Sequence, residues 1–170
     1  MMDAFPQRVL KRRRGLTLIE AMTAAVVLSI AVIAVSQALV AGQMQTYDAL
    51  HRQRAMALAD ALIEEIVRLP YVDPDETTTF GPDPGESTRA AFDDVNDFHG
   101  FTQSAGALSD AAGVSYDSNY QQFSRSVTIA AGSQTVSGFG AAYPGVTVQV
   151  TVTDSAGTSW TVTTFVPEPP

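Results

Sequence analysis

Arg12-Arg13-Arg14-Gly15-Leu16-Thr17-Leu18-Ile19-Glu20 opens the part of the sequence that decides the fold, and an apolar run follows it as far as Ala41. The 21 residues from Ala21 to Ala41 include neither a charged side chain nor a proline. As a helix rising about 1.5 Å per residue, they extend over roughly 30 Å, the thickness of the hydrocarbon core of a bilayer. The stretch therefore predicts one membrane-spanning helix in contact with a lipid bilayer.

Basic side chains are concentrated on one side of this apolar run. Those that precede Gly15 are Arg8, Lys11, Arg12, Arg13 and Arg14. Because positively charged flanks stay in the cytoplasm, we expect a cytoplasmic N-terminus and a domain on the far side of the membrane after Gly42.

One carboxylate, Glu20, lies at the start of the apolar run. An ionisable side chain at the edge of a membrane helix costs on the order of a few kcal/mol unless it finds a partner or reaches the interface. Two interpretations of Glu20 follow from the residue alone. Its side chain either extends to the lipid head groups or pairs with a positive group of functional importance.

The segment from Gly15 to Glu20 resembles the processing site of type IV prepilins and type II secretion pseudopilins. In that family, a short basic leader ends in glycine, a prepilin peptidase cuts after it in the bacterial inner membrane, and the new N-terminus is methylated. The resemblance implies cleavage after Gly15, a mature N-terminus at Leu16 and an assembly carboxylate at Glu20, the fifth mature residue. It also implies that other pilin or pseudopilin subunits and an inner-membrane assembly platform are partners.

The chemistry that the resemblance implies for Glu20 is electrostatic pairing. Cleavage would leave a positive α-amino group on Leu16, buried among apolar helices, where the Glu20 of a neighbouring subunit would neutralise it. Such a pair is stronger at low dielectric than in water, and either charge left alone is penalised. This chain has Leu16 where the family usually has Phe, and Gln37 near the position where many pilins have Pro, which predicts an unbroken helix.

A continued amphipathic helix is predicted downstream of the membrane segment, from Tyr47 to Leu69. Apolar residues recur there at spacings of three and four, at Leu50, Leu58, Leu62, Ile66 and Leu69. Pro70 ends the pattern. We prefer packing of this stripe against the chain's own sheet to a coiled-coil seam, because the downstream domain needs a helix to cover it. We expect His51 on this helix to be a surface histidine.

Strand patterns dominate the C-terminal part. Valines at positions 146, 148, 150 and 152 alternate with polar residues, a turn follows at 154–157, and 160–166 returns with β-branched residues, which predicts a hairpin. An earlier strand is predicted around 123–129, with Gly138, Gly140, Pro144 and Gly145 in the connection. The sequence thus predicts an α+β, pilin-like fold, with a long N-terminal helix packed on an antiparallel sheet of three or four strands.

The predicted domain organisation follows from these segments. Residues 1–15 form the basic leader and residues 16–42 form the transmembrane or filament-core helix. Residues 43–170 form a globular domain, comprising a helix to about 69, a loop-rich region at 70–122 and a sheet at 123–166.

An acidic aromatic segment, 92–100, stands out in the loop-rich region. It resembles a segment of some minor pilins of the mannose-sensitive haemagglutinin type. Its polar members can be interpreted as oxygen ligands for Ca²⁺ or as helix caps and Asx-turns, with Phe92, Val95 and Phe98 anchoring the loop. Calcium replaces disulfides in cysteine-free pseudopilins as a group, although the spacing here lacks the order of an EF-hand. The candidate ligands are Asp93, Asp94, Asn96 and Asp97.

Charge and composition limit the function. Five of the 10 Lys and Arg residues but only Asp3 of the 18 Asp and Glu residues precede Gly15, so cleavage leaves a formal charge of −12. Such a surface repels nucleic acid. The chain has no cysteine and therefore no disulfide. No catalytic motif is found, so we do not expect an enzyme.

Two classes of function remain open. In the first, the chain is a pilus or pseudopilus subunit that is cleaved at Gly15 and packed into a filament through its apolar helix. In the second, it is a membrane-anchored or secreted acidic binding domain, with signal-peptidase cleavage after Ala38 as one route to secretion. The position at which the mature chain begins separates the two.

Overall fold

The computed structural model describes residues 15, 17–72, 80–135, 138 and 140–170. The basic leader before Gly15, and Leu16 itself, therefore lie outside the described residues. The chain divides into two compact units, Met1–Tyr47 and Asp48–Pro170.

Helix α1 comprises residues Leu18–Val67. It begins after Thr17, whose side-chain Oγ1 accepts a hydrogen bond from the backbone N–H of Glu20 at 3.3 Å, so that one orphan donor of the first turn is satisfied. A tighter last turn, in which the N–H of Leu69 donates to the carbonyl of Ile66 at 3.1 Å, leads into Pro70. The helix continues through Gln37 without interruption, as the absence of proline predicted.

The first unit consists of an exposed apolar helix. Every described residue from Thr17 to Tyr47 is exposed, and the large side chains include Leu18 at 82% and Ile19 at 70%. By length and composition, α1 is long and apolar enough to cross a membrane.

The second unit holds all the buried apolar residues that the structure describes. On α1 these are Ala55, Leu58, Ala59, Leu62 and Ile66, and they belong to one core cluster with residues of the sheet. The predicted stripe therefore packs on the chain's own sheet, which confirms the α+β fold.

The sheet has four antiparallel strands in the order β1-β2-β3-β4. Their bounds are β1 Thr102–Gln103, β2 Ser124–Thr135, β3 Ala142–Thr153 and β4 Ser159–Pro167. The valines of β3 from Val146 to Val152 are buried at every second position, as their alternation predicted. The core lies between this face of the sheet and the second half of α1.

Pro144 and Gly145 correct the predicted connection, because both lie inside β3 and pair with Ser133 and Gly132 of β2. Pro144 is tolerated because it sits just past the paired end of β4, where its carbonyl accepts the N–H of Glu168 at 3.0 Å and no N–H is needed. A Cβ on Gly145 would lie 2.3 Å from the carbonyl oxygen of Val166, so only glycine allows this close approach of β3 and β4.

His51 is not the surface histidine that the sequence predicted, because it is 7% exposed. Its ring lies 4.9 Å from that of Phe123, and its Nε2 lies 3.9 Å from Oδ2 of Asp154 in the turn between β3 and β4. His51 therefore belongs to the buried face of α1, whereas Leu50, which the predicted stripe included, is 47% exposed.

Candidate functional site

The predicted processing site lies at the start of α1. Gly15 is exposed, and a Cβ added to it would meet nothing within 4 Å. Two residues later, Thr17 caps the helix through its hydroxyl, and its carbonyl accepts the N–H of Ala21 at 3.1 Å. The spacing from Thr17 to Glu20 is that of a capping box, in which a threonine and a glutamate three residues later serve the same helix end.

Glu20 lies in the first turn of α1, where a carboxylate is favoured by the positive end of the helix dipole. It is the one acidic or basic residue between Gly15 and Asp48. Together with Ala24, Val27 and Ala31 it lines a shallow apolar depression on the helix surface. A single carboxylate thus borders a strip where small side chains would let a second helix approach closely.

The acidic aromatic segment is organised by reciprocal hydrogen bonds between two carboxylates and the backbone. Oδ2 of Asp97 accepts the N–H groups of Asp93 at 2.9 Å and Asp94 at 3.0 Å. Oδ1 of Asp94 in turn accepts the N–H of Asp97 at 3.0 Å, and its Oδ2 accepts the side-chain amide of Asn96 at 3.4 Å. The carboxylate of Asp94 and the side-chain NH2 of Asn96 are therefore engaged in the local turn, whereas the buried Oδ1 of Asn96 accepts no hydrogen bond from the described residues.

Aromatic contacts fix this turn to the core. Val95 and Phe98 are buried, and the ring of Phe98 packs edge-on against Phe92 at 5.0 Å and against Phe101 at 5.4 Å. Nδ1 of His99 accepts the backbone N–H of Ile129 in β2 at 3.1 Å. The predicted anchors are confirmed, and the backbone of the segment is held against the sheet.

A third carboxylate, Glu86, joins Asp93 and Asp97 at this turn. One oxygen of each residue lies within 4.8 Å of an oxygen of both others. Partial burial raises the pKa of Glu86, and the nearby carboxylates of Asp97 and Asp93 raise it further, while the N–H of Asp83 lowers it. Three carboxylates brought this close together are a donor set that a hard cation such as Ca²⁺ would accept.

Two arginines, the buried Arg125 and the half-buried Arg89, connect elements of the second unit. Arg125 is 2% exposed and donates to the carbonyls of Leu58 at 3.2 Å and Ser109 at 2.7 Å, and to Oε1 of Gln103 at 2.7 Å. Burial lowers the pKa of Arg125, and the nearby Arg89 adds to this effect. Because Arg125 joins helix, sheet and loop through carbonyls, its role is to hold these elements together.

Arg89, in the loop-rich region, likewise joins the helix to the loops. It forms a two-pronged ion pair with Glu65 of α1 and donates to the carbonyls of Ser109 at 2.9 Å and Asp110 at 3.1 Å. Both arginines thus donate to the carbonyl of Ser109. Their guanidinium groups bind partners within the fold, so we do not interpret them as a site for an anionic ligand.

Thr17 and Glu86 were absent from the sequence-based candidates. The signal for Thr17 was local, because a threonine three residues before a glutamate at the start of an apolar run is a helix-start pattern. Glu86 carried no such signal, since it is brought to Asp93 and Asp97 only by the path of the intervening chain.

The comparisons with known proteins concern the N-terminal segment. Residues 10–36 match the family model described as the prokaryotic N-terminal methylation motif. Neither a curated protein nor a solved structure matches the chain significantly. The motif supports membership of a type IV prepilin-like family and implies processing by a prepilin peptidase. Together with the long apolar helix, it fits a membrane-anchored pilin, and it indicates a pilin-like or pseudopilin subunit with a structural role.

Proposed function

We propose that the chain is a minor pilin or pseudopilin subunit that is cleaved after Gly15 and methylated at Leu16. It is stored in the inner membrane with a cytoplasmic N-terminus, then extracted and packed through its apolar helix into a type IV pilus or type II secretion pseudopilus. The observation that carries the proposal is the exposed apolar helix from Leu18 to Tyr47, which begins inside the segment that matches the methylation motif.

The apolar surface of this helix supports both storage and assembly. Burying such side chains in lipid or against neighbouring helices is worth roughly 25 cal/mol per Å² relative to water. In a bilayer this gain is already present, so the exchange of lipid for neighbouring helices depends on close packing and polar pairing. Small residues beside Glu20 allow close packing, and the carboxylate of Glu20 is available for polar pairing.

The mature N-terminus tests the first part of the proposal. We expect mass spectrometry of the protein from cells with an active prepilin peptidase to find a chain that starts at N-methylated Leu16. Cells without the peptidase should contain the uncleaved chain. A start at Met1, or after Ala38, in both strains would overturn the proposal and favour an anchored or secreted acidic binding domain.

Glu20→Ala tests the pairing of Glu20 with the α-amino group of a neighbour. Because the substitution lies outside the scissile bond, cleavage should persist while incorporation into sheared filaments falls. Glu20→Asp is the matched control, since it keeps the charge on a shorter side chain and should restore part of the incorporation. Normal incorporation of Glu20→Ala would contradict the pairing.

The minor role rests on the loop-rich region 70–122 and on the likeness of its acidic aromatic segment to minor pilins of the mannose-sensitive haemagglutinin type. A minor subunit would prime assembly or occupy the tip of a filament that serves cell adhesion or secretion. Quantitative mass spectrometry of purified filaments tests this, because we expect the chain to be a small fraction of the total. If it were the dominant subunit, the minor role would be wrong.

We also propose that Ca²⁺ binds at Glu86, Asp93 and Asp97. The approach of the three carboxylates supports this, because a divalent cation would remove their repulsion while water completed a shell of six to eight oxygens. Thermal unfolding in calcium and in a chelator tests the proposal. The midpoint should rise with calcium, and Glu86→Gln should lose most of the rise. An equal midpoint in both conditions would refute the site.

A further inference from the structure

The two edges of the sheet, at β2 and at β4, are covered to different extents. On the outer side of β2, Val127 donates to the carbonyl of Phe101 at 2.9 Å and accepts the N–H of Gly100 at 3.1 Å, and His99 accepts the N–H of Ile129. Together with β1, this turn closes the outer side of β2 as far as Ile129. Beyond that point, residues 131–135 of β2 pair with β3 on their inner side, and no described residue pairs with them on the outer side.

Among the residues that the structure describes, β4 is the last strand of the sheet, and its outer edge pairs with none of them. Backbone groups of successive strand residues point to opposite sides, in step with the side chains. Core-facing Val127 directs its groups away from β3. The registers of β2 with β3 and of β3 with β4 extend this alternation to β4. The backbone groups of the core-facing residues of β4 therefore point towards β3, and those of the other residues point towards the open edge. The outward residues are Ser159, Thr161, Thr163 and Phe165.

Neither open edge carries a charge. Residues 130–135 are Ala-Ala-Gly-Ser-Gln-Thr, and β4 is Ser-Trp-Thr-Val-Thr-Thr-Phe-Val-Pro. Soluble proteins usually protect open edges with charged side chains, interior prolines or bulges. In a chain whose mature form has 17 carboxylates and five arginines, two uncharged edges are the places where copies approach with least repulsion.

The two edges also have the same direction. Each neighbouring pair of strands is antiparallel, so β2 and β4 run parallel to each other on either side of β3. The β4 of one copy can therefore extend the sheet at the β2 of the next copy while both copies keep the same orientation. When neighbouring copies keep the same orientation, a contact between two different surfaces does not close into a ring, and it generates a filament.

We infer that the outer edge of β4 pairs in parallel with residues 131–135 of β2 in a neighbouring copy of this chain. The inference rests on the proposed assembly into a filament and names a second contact within it. In this register the backbone N–H of Thr163 donates to the carbonyl of Ser133 of the neighbour, and its carbonyl accepts the N–H of Thr135. The side chain of Thr163 then lies beside Gln134, on the face of the sheet away from the core. The contact is short, so it adds to the burial of α1 rather than replacing it.

The absence of native cysteine allows a direct test in cells that assemble the full chain. Directly opposite residues of neighbouring strands lie about 4.8 Å apart, within the range that a disulfide accepts. The double variant Gln134→Cys with Thr163→Cys should therefore give a short ladder under mild oxidation, from dimers up to the few adjoining copies that a minor subunit forms. Within one chain the two sites cannot join, because Gln134 pairs with Tyr143 and Thr163 with Gln149, roughly 20 Å apart along β3.

Single variants identify the other arrangements. Neither Gln134→Cys nor Thr163→Cys alone should be cross-linked, whereas a mixture of the two should give dimers only. Dimers from Thr163→Cys alone would mean that two β4 edges meet, and a cross-link to a different protein would mean that another partner covers the edge. Either result, or the absence of a ladder, would overturn the inference.

A proline variant separates edge pairing from folding. The N–H of Thr161 points outward, so Thr161→Pro in the double-cysteine background should abolish the ladder and leave the thermal midpoint unchanged. Thr161→Lys is the second variant, because it blunts the edge by charge without altering the backbone. The mature N-terminus is measured in the same cells. A missing ladder with normal cleavage and incorporation refutes edge pairing alone, whereas uncleaved chains refute the proposed function.

Discussion

The two halves of α1 have the same backbone and opposite surroundings. From Leu18 to Tyr47 every residue is exposed, whereas from His51 onward one face is buried beneath the sheet. The second unit satisfies its apolar surface with its own chain. No described residue covers the first unit in this way, so burial of its apolar side chains requires lipid or another protein surface. One continuous helix therefore contributes to the folding free energy through its second half only, and the burial of its first half is a separate free-energy term.

Removal of the first unit should have the largest effect. A chain that starts at Gly42 loses the apolar span and keeps all the buried core residues, so it should leave the membrane fraction completely and remain folded. Sedimentation and circular dichroism measure the two outcomes. A shortened chain that stays with the membrane, or that fails to unfold cooperatively, would contradict the division into a dependent and an independent unit.

Equal truncations in the two halves of α1 should give unequal results. Leu62→Ala removes a fully buried side chain and should lower the free energy of unfolding of the second unit by about 2–5 kcal/mol. Leu28→Ala removes an exposed side chain of the first unit, 65% exposed, and should change it by less than about 0.5 kcal/mol. Denaturant unfolding in detergent measures both free energies, and similar losses of stability in the two variants would contradict the difference between the two halves of α1.

Arg125→Met compares a buried arginine of the second unit with an exposed one. It keeps the side-chain volume but leaves the carbonyls of Leu58 and Ser109 without their donor, so stability should fall by about 2–4 kcal/mol. Arg68→Met is the matched control. Its ion pair with Glu64 is exposed, at 79% and 71%, and should contribute below about 0.5 kcal/mol. Equal effects would show that Arg125 does not hold helix, sheet and loop together.

The smallest expected effect concerns pH and the carboxylate cluster. Since the pKa of Glu86 is raised in the folded chain, the folded state binds this proton more tightly than the unfolded state does. Stability should therefore increase as the pH falls from above the raised pKa towards the ordinary glutamate pKa of 4.5. In a chelator, Glu86→Gln should remove this part of the pH dependence and change stability at neutral pH by below about 1 kcal/mol. An unchanged pH profile would contradict the repulsion.

Regular periodicity made most of the fold predictable. The 3.6-residue stripe and Pro70 located the second half of α1, and the alternating valines located β3 and its hairpin with β4. β1 was not predicted, because two residues carry no period and the strand exists only through pairing with Ser126 and Arg125. Pro144 was misassigned since its tolerance depends on where β4 stops, which is a property of the sheet and not of the local sequence.

The candidate sites were predictable to different degrees for the same reason. Gly15, Leu16 and Glu20 are consecutive enough to be recognised as one pattern, and the matched methylation motif covers all three. Asp93 and Asp97 were found because they share one turn. Glu86 was not, because loop closure over several residues brings it to them. His51 was misjudged because a lone histidine on a helix gives no indication of the rings that the sheet will place beside it.

The threonine cap on α1 has a consequence for proteolysis. A peptidase binds the residues around a scissile bond in an extended form, and a helix that continued through Gly15 would have to be unwound before cleavage. With Thr17 as its first capping residue, the helix ends two positions short of the glycine. In the proposed processing after Gly15, the Thr17 hydroxyl thus marks the boundary between the segment that the peptidase binds and the helix that the mature subunit keeps.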